Sequence, residues 1–176
     1  RVSFMTPEQD RVRNYLIGQG RKYSFRELWK RMIKARLQLS DEVENITQTQ
    51  ADFAYDAEEW TISEVTHHVI LSTERVAKVV ESLSIGENPD ASGVEPSRIG
   101  ADSCIEVLQY RILGGAVRWS SMTENLPDNP DLLFTAKHDF FGELDARAWY
   151  LFQRVHDLDH LNQIKSVKEQ KDYPEI

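Results

Sequence analysis

Thr6 and Gln9, Ser24 and Glu27, and Thr61 and Glu64 each place a Ser or Thr three residues ahead of a Gln or Glu, just before an apolar-periodic run or a Pro. Each pair satisfies backbone N–H groups left open at a helix start, so each marks an N-terminus. Behind Ser24, the residues Phe25, Leu28, Trp29, Met32, Ile33 and Leu37 recur at three and four residues, the spacing of one buried helical face, and the helix is predicted to reach about Val43. Behind Thr61, with Trp60 and Val65 placed as a hydrophobic staple, a helix runs to about Leu83. Pro7 opens a short first helix that stops near Gly18 or Gly20. The polar stretch 86–97 reads as a surface loop before a helix from about Arg98 to Met122, which contains Gly114 and Gly115. The last helix covers roughly Asp145 to Lys168. No convincing strand alternation is present. Four long helices with one apolar stripe each must bury those stripes together, so the expected fold is all-α, a four-helix bundle with a short extra N-terminal helix, in one domain over 1–176.

The 176 residues carry 29 acidic against 21 basic side chains, a net charge of −8. That balance repels phosphate backbones and anionic lipid, which argues against nucleic-acid and membrane partners. A single cysteine, Cys104, and no apolar run of membrane-span length suggest a cytoplasmic setting, with Cys104 read as a small buried hydrophobe.

Two of the five histidines, His156 and His160, stand four apart in the final helix. A step of four turns about 40° around a helix axis, so both lie on one face. Trp149, Phe152, Gln163 and Val167 share that strip, which makes it a packing face. His67 and His68 point about 100° apart. His68 lies at the edge of the apolar stripe of its helix, whereas His67 groups with Ser63, Glu74, Lys78 and Glu81 and is expected to be solvated. His68, His156 and His160 are therefore the candidate metal ligands: three imidazoles from two helices with open positions for water or substrate. Imidazole suits several ions. Zinc or nickel is the expected divalent cofactor, with iron or manganese as alternatives, and copper is also compatible with the donors. Asp157 and Asp159 flank the pair, and Asp159 is the better placed to accept a hydrogen bond from a ligating ring. His138, in a loop before the last helix, could reach the site mouth, although an exposed or locally bonded loop histidine is the plainer reading.

The segment "WTISEVTHH" places His68 eight residues after Trp60, and "HDLDHLNQI" follows His156 and His160 with Gln163 and Ile164. Over roughly residues 25–168 this pattern resembles the DinB-like superfamily of small metal-binding helical bundles. The segment "HDFFGEL" is similar to that family's His-Pro-x-Phe-Gly element, with Asp139 in the Pro position. The resemblance implies an up-down-down-up bundle with the metal near one end. It also implies an activity among metal-dependent hydrolases and thiol-dependent transferases, with a small-molecule substrate and a low-molecular-weight thiol as co-substrate. The pocket is expected to be lined by aromatics such as Trp149 and Phe152. The competing expectation is a non-catalytic metal-stabilised bundle or protein-interaction module. Small bundles commonly bury residual apolar surface by pairing, so a homodimer is expected.

Overall fold

A computed structural model describes residues 5–175. The described chain is mostly helical, with α1 (Pro7–Lys22), α2 (Phe25–Val43), a single-turn α3 (Gln48–Ala51), α4 (Ile62–Ser84), α5 (Ile105–Asn125) and α6 (Ala146–Lys168). Between α5 and α6 lies a hairpin of β1 (Thr135–His138) and β2 (Gly142–Asp145). Thr6, Ser24 and Thr61 each make both halves of a capping box, and Thr47 makes a fourth with Gln50 at the start of α3. Each such cap contributes about 1 kcal/mol.

α2 packs on both α5 and α6, α4 does the same, and α1 lies along α6. The four long helices therefore turn their apolar stripes to a shared interior. Leu28, Met32, Val76, Val80, Trp119, Trp149 and Leu151 fill one part of it. Leu39, Val65, Val69, Ile112 and Ile164 fill another, and each large apolar side chain so buried contributes about 1.5–3 kcal/mol. Polar contacts set the heights of the helices against one another. Trp29 Nε1 donates to Ser120 Oγ at 3.0 Å, and Gln109 Nε2 donates to the Val43 carbonyl at 2.6 Å. At the same two ends of α2, Lys168 pairs with Glu42 at 2.8 Å, and the Phe25 and Tyr150 rings meet at 5.2 Å.

Four features differ from the sequence expectation. The hairpin was not anticipated, because four-residue strands are too short to show alternation, and the all-α description holds for everything else. Its turn depends on Gly142, whose φ of +68° places it in the left-handed region that glycine adopts without strain. α5 begins at Ile105 rather than near Arg98, since Arg98 is committed to Glu64 and to the Ala57 carbonyl and the chain before Ile105 is irregular. Cys104, read as buried, is exposed at the N-cap of α5, where the Ile105 N–H is capped instead by Gln48 Oε1 at 2.8 Å. Leu37 is exposed as well, and Arg36 is the residue that turns inward. Among the described residues no helix is long and apolar enough to cross a membrane.

Candidate metal centre

α4 carries His68 and α6 carries His156 and His160, and the packing of these two helices brings the three rings together. His68 and His156 are buried and His160 is half-buried. Trp60, just ahead of α4, packs edge-on against the His68 ring at 5.4 Å, a physical role for the eight-residue spacing between them. His156 Nε2 lies 3.2 Å from His68 Nε2 and 3.2 Å from His160 Nε2. Two nitrogens bound tetrahedrally to one ion at the usual zinc distance stand about 3.3 Å apart, so the spacing fits a shared cation. His160 donates through Nδ1 to Gln163 Oε1 at 2.8 Å, which places its proton there and leaves Nε2 with a lone pair toward the cluster. The Nδ1 atom of His156 has no hydrogen-bond partner among the described residues.

Burial, reinforced by the neighbouring His160, pushes the His68 ring down to about 4, with Glu95 opposing the shift. His156 is pushed well below the ordinary histidine value, first by burial and then by His160 and His68. Both rings are thereby kept neutral near pH 7, the state in which imidazole ligates.

Glu95 completes the cluster. Its carboxylate, with the three His nitrogens, forms a group whose ligand atoms all lie within 4.8 Å of one another, and Glu95 Oε1 is 3.4 Å from His156 Nε2. No sequence signal marked it. It lies in the connection between α4 and α5, which has no periodicity to show which side chains turn inward. Glu95 and His156 form one wall of a cavity of about 420 Å³, with Val12, Phe141, Phe152 and Val155 as its apolar lining. Phe152 thus lines the cavity as expected, whereas Trp149 does not: it is fully buried and donates through Nε1 to the Ala136 carbonyl at 3.0 Å.

Two further expectations are corrected. His67 is not solvated but 3% exposed, because the irregular segment before α5 folds over that face of α4 and sets Asp102 Oδ2 3.4 Å from His67 Nε2. Asp159 accepts no bond from a cluster ring and stands at the cavity rim, while Asp157 is fully buried in an ion pair with Arg36. The partner of the His160 ring is Gln163, a residue the sequence had placed on the same strip without a role. His138 is locally bonded, as the plainer reading expected, with Nδ1 accepting from the Phe140 N–H, but it stands in β1 outside the ligand group, 2% exposed, with Nε2 3.2 Å from Glu95 Oε2.

No curated protein and no solved structure shows significant similarity to the chain. A family model described as the DinB superfamily matches residues 31–164, which include α4, the Glu95 connection, the hairpin and the His pair of α6. With the match extending over most of the chain and containing every residue of the cluster, the protein belongs to the DinB superfamily.

Proposed function

We propose that the protein binds a divalent metal ion, zinc or nickel before iron or manganese, through His68, His156, His160 and Glu95, and uses it as a metal-dependent enzyme of the thiol-dependent transferase or hydrolase type. The observation that carries this reading is the convergence of three ring nitrogens and a carboxylate, two of whose residues, His156 and Glu95, line a cavity large enough for a small molecule. A bound divalent ion supplies a Lewis acid that lowers the pKa of a thiol or water. The chain's own part is to hold neutral rings in place, to fix the His160 tautomer through Gln163, and to shield the reacting atoms with Phe152 and Phe141. The substrate is a small molecule, with a low-molecular-weight thiol as the other reactant. We also place the whole chain in one cytoplasmic domain that pairs as a homodimer.

The up-down-down-up connectivity belongs to the same reading. It is supported by Phe25 meeting Tyr150 while Glu42 meets Lys168, which runs α2 and α6 the same way. Support comes also from Trp29 meeting Ser120 while Val43 meets Gln109, which runs α5 opposite to α2. His68 beside His160 and Thr73 near Gln153 run α4 opposite to α6.

A second reading, a metal-stabilised bundle without catalysis, is favoured by Glu95 itself, since a fourth protein donor is the mark of a closed structural site. Metal titration of the purified, metal-stripped protein, followed by addition of a small thiol to the cobalt-loaded form, separates the two. The enzyme reading expects one tightly bound ion per chain and a thiolate-to-cobalt absorption band on thiol addition. Tight binding without that band favours the structural reading, and no binding removes both.

A further inference from the structure

The His138 side chain is buried, belongs to the His-x-x-Phe-Gly segment, and has no place in the ligand group. Nδ1 accepts from the Phe140 N–H at 3.1 Å and from the Phe141 N–H at 3.4 Å. A nitrogen that accepts two backbone donors presents its lone pair, so the ring proton resides on Nε2. Nε2, which then carries the ring proton, lies 3.2 Å from Glu95 Oε2. The ring is caged by Phe141 at 4.8 Å, Phe152 at 4.5 Å and Trp149 at 5.1 Å, which holds its direction. Glu95 comes from a connection without regular structure and is partly exposed, so its aim depends on this anchor. With Oε2 held, Oε1 is left toward His156. The Nδ1 bonds use the N–H groups of residues 140 and 141, not 139, so Asp139 in the Pro position leaves them undisturbed.

We propose that His138 is a positioning residue: through its Nε2–H it holds Glu95 as the carboxylate donor of the metal centre, and it thereby couples the β1–β2 hairpin to that centre. The proposal rests on the metal-binding reading above. Its Nδ1 is committed to two backbone donors and its Nε2 faces Glu95, which is why it stands beside the cluster without ligating. Removing such an outer partner typically weakens metal binding by about 10–100-fold. Phe can fill the aromatic cage without a donor, and Gln can restore a donor near the Nε2 position.

The test compares wild type, E95Q, H138F and H138Q, all in full-length protein, by Co²⁺ titration and visible absorption of the cobalt-loaded forms. The expected result is that H138F loses about 10-fold or more in Co²⁺ affinity and shifts the spectrum as E95Q does. H138Q should lie near wild type, and E95Q/H138F should be no worse than E95Q alone. A merely structural role for His138 lowers thermal stability in the metal-free protein and leaves the cobalt spectrum of the folded variant unchanged, which overturns the proposal. Wild-type binding with H138F equal to it overturns this inference alone, whereas wild type that binds no Co²⁺ overturns the metal reading and this inference together. Nitrogen-15 NMR of the metal-free protein gives an independent arm: His138 is expected with its proton on Nε2, and a proton on Nδ1 instead overturns the anchoring geometry whatever the metal does.

Discussion

Arg36 meets Asp157 in a two-point contact, Nε to Oδ2 and Nη2 to Oδ1 at 2.8 Å each, with both side chains fully buried. Thr73 Oγ1 accepts from Arg36 Nη2 at 2.7 Å, and Gln153 Nε2 donates to Asp157 Oδ1 at 2.7 Å, so α2, α4 and α6 share one polar knot. Asp157 follows His156 directly in α6, and the knot therefore helps to fix the face on which the ligand pair stands. Asp157→Ala leaves a buried guanidinium without its counter-charge and is expected to cost about 3–5 kcal/mol. The double replacement Arg36→Met with Asp157→Leu should cost far less, because no buried charge is left unpaired. Urea unfolding measures both; a single variant as stable as wild type would contradict the pairing.

Gly115 makes room for that arginine. A Cβ there would lie 2.5 Å from Arg36 Nη1, whereas one at Gly114 meets nothing within 4 Å. Gly114→Ala is expected to stabilise the protein by about 0.5–1 kcal/mol, the ordinary gain in a helix interior. Gly115→Ala is expected to destabilise it by about 1–3 kcal/mol despite the same propensity gain. Thermal unfolding of the two variants checks the opposite signs.

The four histidines of α4 and α6 should separate by role. His68→Ala, His156→Ala and His160→Ala are each expected to weaken zinc binding by at least about 100-fold, since each removes one ligand from the proposed site. His67→Ala should keep wild-type affinity yet lower stability, because it leaves a gap beneath Asp102. Isothermal titration on variants of confirmed helicity is the measurement. Loss of binding in His67→Ala with normal binding in His68→Ala would overturn the ligand set.

Acid should unfold the metal-free protein through the cluster. His68 is held down to about 4 from 6.5, so its unfolded ring takes up a proton at a higher pH than its folded ring. A depressed folded value means that this contribution to stability is complete above about 6.5 and lost as pH falls toward about 4. His156, depressed in the same direction, adds to the loss. Chemical unfolding at pH 7, 6 and 5 should show stability falling with pH, less steeply in a folded His68→Gln variant. Equal slopes in the two proteins would remove His68 from the account.

On α5, Tyr110 is 79% exposed and Val117 71% exposed, with Val107 and Leu113 on the same outward stripe. If the proposed homodimer forms through this stripe, light scattering gives twice the chain mass, and Tyr110→Asp with Val117→Asp halves it. A wild-type mass of one chain at micromolar concentration removes the dimer.

Helix starts at Thr6, Ser24 and Thr61 were legible because capping is local: the donor and acceptor lie within four residues, so the pattern needs no partner. The facing of His68, His156 and His160 was legible for a related reason, since helical phase converts spacing directly into direction. His67 shows where phase stops. Its direction was set by α4, but its burial was decided by a segment more than thirty residues later that folds across it. Glu95 and Arg36 show the same boundary more sharply. A side chain in an irregular connection has no phase, and a buried arginine is tolerated only where a carboxylate from another helix and a missing Cβ on a third meet it. The sequence by itself determined the helices, their apolar stripes and three inward imidazoles. Only the tertiary structure decided which carboxylate joins those rings, which one answers Arg36, and that His138 holds Glu95, because these depend on distances between segments that no local repeat encodes.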